Sequence, residues 1–217
     1  MAHVVNREIE NYLRQLVPER DLLLKSLEEK AEQEYVSIVL PEVAQFLHLM
    51  ALQSRAQNIL EIGTAIGYST IWLARVAKQN GGRVTTIEIN QRRYEKALNS
   101  IKQSGLEDVI SIIKAHAADI LPTLSGTYDF IFVDAAKGQY SSFFEKLYPR
   151  LQTGGLIIFD NVLADGLVIC NDEDIERRQR TMVRRLREFL KMITGYPGLV
   201  ASVIPMGDGL VVGYKTG

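Results

Sequence analysis

Two periodicities divide the chain. Up to about residue 52 the apolar positions recur at helical spacing: Ile9, Leu13 and Leu16, then Leu22, Leu23 and Leu27, and a further amphipathic set across Pro41–Leu52. That interval places side chains on one face of an α-helix. From Asn58 onward, short apolar runs alternate with amphipathic segments. Ile59–Ile62, Val84–Ile89, Val109–Ile113, Phe130–Val133 and Leu156–Phe159 predict strands; Ser69–Lys78, Arg92–Gln103, Ser141–Arg150 and Ile175–Ile193 predict helices. Strands that alternate with helices predict right-handed crossovers and a mostly parallel sheet. The end of the chain departs from this pattern. Val200–Ile204 and Leu210–Tyr214 are separated only by Pro205-Met206-Gly207-Asp208-Gly209, too short for a crossover helix, and so predict an antiparallel hairpin.

The expected fold is therefore α/β: a Rossmann-like, doubly wound, seven-stranded sheet with an antiparallel C-terminal hairpin and an N-terminal helical cap. No repeat, low-complexity tract or linker divides it, so a single domain is expected over residues 1–217, with the cap at 1–52 and the core at 53–217. A chain of 217 residues with 47% hydrophobic and 24% charged residues has the balance of a soluble globular protein. It contains no apolar run near the roughly 20 residues of a membrane span. The start, Met1–Glu8, lacks the basic and apolar regions of a secretion signal, and Cys170 is the single cysteine. A cytoplasmic protein without a membrane partner is expected. The net charge of -1 gives no global attraction to nucleic acid, which leaves local clusters to be weighed separately.

Candidate chemistry gathers where strands end. In a doubly wound sheet, ligands bind beyond the carboxyl ends of the strands. Glu61-Ile62-Gly63-Thr64-Ala65-Ile66-Gly67 forms the first strand-to-helix turn there. Its glycines are four apart, unlike the tighter spacing of a pyrophosphate turn, and the acid ahead of Gly63 disfavours a phosphate and favours a cationic or hydroxyl-bearing ligand. The next strand, Val84–Glu88, ends in a second carboxylate, where such folds hold a ribose by its hydroxyls. Taken singly, Glu61 and Glu88 could be solvated acids at strand ends. As a pair beside a glycine turn they favour a nucleoside with a positively charged tail, a description that S-adenosylmethionine fits.

The fourth and fifth strands run into Asp134 and into Asp160-Asn161, at the same sheet edge. Two carboxylates and an amide oxygen form a hard ligand set suited to magnesium or calcium. A bound cation would favour the ionised form of a coordinated hydroxyl. The plainer reading is turn chemistry at Asp160-Asn161 and a cap at Asp134. Lys137 would lie in the loop beside such a cation, to favour an ionised hydroxyl or act as a base, unless it is a surface lysine.

The stretches "EIGTAIGYS", "TIEIN", "FVDAAKGQY" and "LIIFDNVL" resemble the motifs of cation-dependent O-methyltransferases of the catechol and caffeoyl-coenzyme-A type, over nearly the whole chain. The resemblance implies Mg2+ on Asp134, Asp160 and Asn161, with Lys137, Asp134 and Asp160 catalytic. It implies S-adenosylmethionine on Val39, Glu61, Gly63, Ser69, Glu88, His116 and Asp134. At His116 the chain reads Ala115-His116-Ala117 where the related pattern commonly has Gly-Asp before the alanine. "DNVL" followed by "GLV", an arginine-rich helix and "PMGDGL" are similar to bacterial tRNA 5-hydroxyuridine methyltransferases, which implies tRNA as substrate and a homodimer.

Arg177, Arg178, Arg180, Arg184, Arg185, Arg187 and Lys191 lie within fifteen residues that hold one acid, Glu188. Such a strip is the footprint expected for phosphate contacts. The alternative is pairing with the cap acids Glu28, Glu29, Glu32 and Glu34. The functional expectation is Mg2+-dependent O-methylation of tRNA 5-hydroxyuridine to 5-methoxyuridine. A catechol-like or hydroxycinnamoyl acceptor, or a non-catalytic nucleotide- or RNA-binding module, are the alternatives.

Overall fold

The structure, a computed structural model, describes residues 6–217. The expectation about targeting rests on Met1–Glu8, of which Met1–Val5 lie outside the described residues. Three helices form the cap: α1 (Arg7–Leu16), α2 (Leu22–Gln33) and α3 (Pro41–Gln53). Local chemistry sets their starts. The Asn6 side chain accepts from the Glu8 N–H, Asp21 accepts from the Leu24 N–H, and Pro41 opens α3 at a position where no intrahelical donor is needed.

The core follows in strict alternation: β1 (Asn58–Ile62), α4 (Tyr68–Gln79), β2 (Arg83–Glu88), α5 (Gln91–Ser104), β3 (Ile110–Lys114), α6 (Ala117–Ile120), β4 (Tyr128–Val133), α7 (Tyr140–Leu147) and β5 (Leu151–Phe159). Then come α8 (Arg177–Thr194) and the strands β6 (Leu199–Ile204) and β7 (Leu210–Lys215). Among the described residues the strands form one seven-stranded sheet in the order β3-β2-β1-β4-β5-β7-β6. β1 pairs in parallel with both β2 and β4, whereas β7 runs antiparallel to β5 and β6, as the short final connection requires. The winding reverses between β1 and β4, so the switch point lies at their carboxyl ends.

Both sheet faces are covered, which is why the central strands β4 and β5 carry runs of buried apolar residues at Phe130–Val133 and Leu156–Phe159. Side-chain alternation sends Ile59, Phe130 and Ile158 toward α4 and the cap, and Leu60, Ile131 and Phe159 toward α7 and α8. Leu27 and Leu47 of the cap lie in the same cluster as Ile59 and Ile71, so the cap shares the core. Truncating either leucine to alanine would leave a cavity costing about 2–5 kcal/mol. Arg20 and the Tyr68 hydroxyl both donate to Glu28, tying α2 to the first residue of α4.

Several boundaries differ from expectation. β5 begins at Leu151, which pairs with Tyr128 across a register shift; Gly154 and Gly155 hide this part of the strand in the sequence. α7 gives way to a 3-10 turn at Tyr148–Arg150, where Pro149 brings no N–H. α8 starts at Arg177, and Ile175 is instead a buried anchor ahead of it. The short α6 has too few residues to show a period. Among the described residues no helix is long and apolar enough to cross a membrane.

Candidate functional site

The turn after β1 is shaped by close approach. At Gly63 φ is +104°, and a Cβ would sit 1.9 Å from the Asp134 carbonyl oxygen. A side chain there would push the ends of β1 and β4 apart. Gly67, at φ +90°, precedes the first turn of α4. Glu88 pins this loop from the neighbouring strand: its carboxylate accepts from the Ala65 N–H at 2.8 Å and from the Asn90 N–H at 2.7 Å. Each carboxylate oxygen can accept more than one bond, so capacity remains for a ligand hydroxyl.

Glu61 is placed otherwise than expected. It shares the β1 face of Ile59, is fully buried, and is not part of the cavity wall. Its carboxylate accepts from the Ser69 and Thr86 hydroxyls, each at 2.6 Å, and from the Thr70 hydroxyl. Burial pushes its pKa up and these hydroxyls pull it back. Ser69 is therefore engaged with Glu61, and Val39 is buried in the core of the cap side, also off the wall. In this structure Val39, Glu61 and Ser69, each an expected cofactor contact, lie behind the lining of the cavity. Ser37, two residues before Val39, lines it instead.

A cavity of about 540 Å³ lies above the strand ends and is lined by Gly63, Glu88, His116, Asp134, Lys137 and Asn161, among others. This is a volume typical of small-molecule sites. His116 caps α6: its Nδ1 accepts the Ala118 N–H at 3.1 Å, which leaves Nε2 as the donor edge. Where an acid would accept, this residue donates.

The other end of the cavity is acidic. The Asp134 N–H donates to Ile62 at 2.8 Å and the Asp160 N–H to Val133 at 3.0 Å, which continues the sheet pattern past β4 and β5 and brings both acids to one rim. Asn161 has φ +54°, a left-handed conformation that asparagine tolerates better than most residues, and it lines the cavity. Asp160 accepts the Asn161 N–H at 2.6 Å, and its carbonyl accepts the Tyr140 hydroxyl at 2.7 Å. Burial pushes Asp134 and Asp160 above the usual carboxylate range; the charge on Asp134 pushes Asp160 further, whereas Lys137 and Arg93 pull Asp134 down. Lys137 acts on the pair through its charge alone, because its Nζ donates to Asp208 at 3.1 Å.

Two neighbouring carboxylates held above their ordinary range, next to an amide, suit a divalent cation. Among the described residues no group of three or more histidine, cysteine, aspartate or glutamate side chains is arranged to hold a metal. The set here is two acids and an amide oxygen, leaving positions for water or substrate oxygens, as Mg2+ prefers.

The arginines of α8 fit neither expectation fully. None pairs with a cap acid: Glu28 is held by Arg20 and Glu34 by Lys96. Nor is the strip wholly free. Arg178 pairs with Glu176 and Arg184 approaches Glu188, while Arg180 donates to the Ile175 carbonyl. Arg187 fastens the 167–172 loop through the carbonyls of Val168 and Cys170 and the carboxylate of Asp172. Arg177 is exposed, and Arg185 is exposed and donates to the Gly138 carbonyl, beside Lys137. Sequence reasoning missed Asp208, Ser37 and Arg93 on the wall and the Thr70 and Thr86 hydroxyls under it. Asp208 lies within "PMGDGL", but nothing local to it signals a contact with Lys137, 71 positions away.

The sequence matches the family described as O-methyltransferase over residues 15–216. It is 34% identical over 212 residues to a catechol O-methyltransferase of Niastella koreensis, covering 95% of this chain and 93% of that protein. The fold superposes on the crystal structure of the O-methyltransferase TomG from Streptomyces achromogenes in complex with SAM, with a TM-score of 0.83 and 29% identity, covering 97% of this chain and 96% of the other. The O-methyltransferase from Bacillus cereus in complex with SAH matches with a TM-score of 0.84 and 30% identity, over 96% and 97% of the two chains.

Proposed function

We propose a specific reaction for this chain, which belongs to the O-methyltransferase family: transfer of a methyl group from S-adenosylmethionine to the 5-hydroxyl of 5-hydroxyuridine in tRNA, with Mg2+ as cofactor. The observation that carries the reaction type is Asp134 and Asn161 on the wall of a cavity that Glu88 and His116 also line, with the buried Asp160 beside them at the end of the neighbouring strand.

In this reading Glu88 receives the ribose hydroxyls and His116 offers its Nε2–H to the base. Gly63 gives the donor room at the strand ends. Asp134, Asp160 and Asn161 would hold the cation, which when bound supplies Lewis acidity that favours the ionised form of an acceptor hydroxyl. Lys137 adds a positive charge at the cavity wall, further favouring the ionised acceptor. The acceptor oxygen, its hydroxyl proton released to solvent, then attacks the sulfonium methyl carbon in line: the new O–CH3 bond forms as the S–CH3 bond breaks, the electron pair leaves on sulfur as neutral S-adenosylhomocysteine, and the protein supplies alignment in an ordered electrostatic setting. Asp160→Ala is expected to abolish transfer.

The RNA acceptor is supported by the similarity of "DNVL", "GLV" and "PMGDGL" to tRNA 5-hydroxyuridine methyltransferases and by the exposed Arg177 and Arg185 on α8. A wobble base is single-stranded and can enter a pocket without melting a duplex. A catechol-type acceptor is the second reading, favoured by the name of the Niastella koreensis relative. Mass spectrometry of tRNA nucleosides from a deletion strain separates them. Accumulated 5-hydroxyuridine with loss of 5-methoxyuridine supports the RNA reading; unchanged nucleosides favour the catechol.

A further inference from the structure

Two loops frame the acidic end of the cavity: residues 136–139, which carry Lys137, and residues 161–166, which begin at Asn161. A third element, the β6–β7 turn, reaches both through one side chain. Asp208 accepts the Lys137 ammonium on Oδ2 at 3.1 Å and the Asp165 N–H on Oδ1 at 2.5 Å. The backbone of the same turn continues the contact, since the Asp208 carbonyl accepts the Leu163 N–H at 2.9 Å and the Gly209 carbonyl accepts the Val162 N–H at 3.0 Å. The 161–166 loop needs such support. Asn161, Ala164 and Asp165 all have positive φ, a conformation that costs side-chain-bearing residues energy and persists only where the surroundings hold it. Asp208 is itself largely buried and faces the cavity. A buried carboxylate that adds negative charge near Asp134 and Asp160 works against an apo protein, so its place calls for a role in arranging the wall.

We propose that Asp208 is a positioning residue for methyl transfer: it holds the Lys137 ammonium at the cavity wall and fastens the loop that presents Asn161. The inference rests on the methyl-transfer reading of this site and adds a residue that acts through others. Asp208 does two separable jobs, because asparagine keeps the oxygen that accepts the Asp165 N–H but loses the ion pair, whereas alanine loses both.

The test combines kinetics with hydrogen exchange on full-length protein, using Mg2+, an anticodon stem-loop bearing 5-hydroxyuridine and, separately, 3,4-dihydroxybenzoate. Asp208→Asn is expected to lower kcat about tenfold to hundredfold, the scale of a displaced catalytic group. The acceptor KM should stay within about twofold and calorimetric SAH affinity should be unchanged. In a Lys137→Ala background the same substitution should cost nothing more, and Asp208→Glu should recover part of the loss. Asp208→Ala should speed exchange across residues 161–166, whereas Asp208→Asn should not. An unchanged kcat in Asp208→Asn, or a full additional loss in the Lys137→Ala background, overturns the positioning role. Wild-type exchange rates in Asp208→Ala overturn the fastening role, and that measurement needs no acceptor. Wild-type protein inert on both acceptors overturns the functional reading instead, and with it the catalytic half of this inference.

Discussion

The two buried acidic sites at the carboxyl ends of the strands are built in opposite ways. Under the glycine loop, Glu61 is fully buried and receives hydroxyls from Ser69, Thr70 and Thr86, so its charge is answered from within the fold. At the ends of β4 and β5, Asp160 is buried and Asp134 half-buried, yet the donor found on their side chains is the Asn161 N–H on Asp160, and the nearby ammonium of Lys137 bonds to Asp208. A buried carboxylate costs free energy unless it is paired or hydrogen-bonded. Glu61 meets that condition alone, and the aspartate pair would meet it with a cation. Counting donors per carboxylate separates an acid answered within the fold from acids left with capacity for a ligand.

The largest expected effect breaks the comparison at the aspartate pair. Asp160→Ala should lower methyl transfer by about a thousandfold or more, in line with loss of a cation's transition-state stabilisation. Its melting temperature in chelator should hold or rise, because one of two repelling acids has gone. A radiolabelled methyl-transfer assay and a thermal melt of the same preparation check both halves.

Next comes Glu61. Replacing it with alanine leaves three buried hydroxyls without their shared acceptor, at roughly 2–4 kcal/mol in total, or roughly 5–15 °C in Tm for a chain of this size. Denaturant unfolding measures it. A loss of activity without a loss of stability would move Glu61 from support to ligand contact.

A smaller effect concerns pH. Asp134 and Asp160 are raised in the folded protein, so between the ordinary carboxylate range and their raised values the folded state binds more protons than the unfolded state. Stability of the metal-free protein must therefore fall as pH rises through that window. A cation displaces those protons, so Mg2+ should raise Tm more at about pH 8 than at about pH 5, by a margin worth about 1–2 kcal/mol. Differential scanning calorimetry with and without Mg2+ decides it; the same Mg2+ increment at both values would oppose the pairing. The smallest effect is on α8. Arg177→Ala with Arg185→Ala should weaken RNA turnover a few-fold and flatten its salt dependence by about two phosphate contacts, while leaving a catechol acceptor unaffected.

Much of this was legible from residue pattern, because β4 and β5 are apolar runs that end in Asp134 and Asp160, and strand parity and crossover rules place such ends together. The short connection between β6 and β7 likewise announced its hairpin. Glu61 and Glu88 looked equivalent in the sequence, each an acid at a strand end beside the same turn. What divides them is tertiary: Glu61 points toward α4, where Ser69 and Thr70 wait, and Glu88 ends at the cavity. The bond from Lys137 to Asp208 joins residues 71 apart and has no local signature. The arginines read as one strip, yet Arg187 is spent on loop carbonyls, a use that only the folded path of residues 167–172 reveals.

The claim on which the account turns is that Asp134, Asp160 and Asn161 hold one divalent cation. Titrating chelator-stripped protein with Mn2+, and reading free ion by electron paramagnetic resonance, tests it without any acceptor. The account predicts a single site in the wild type that Mg2+ displaces and that Asp160→Ala loses. Equal Mn2+ binding by the wild type and Asp160→Ala, or no site in either, would contradict it.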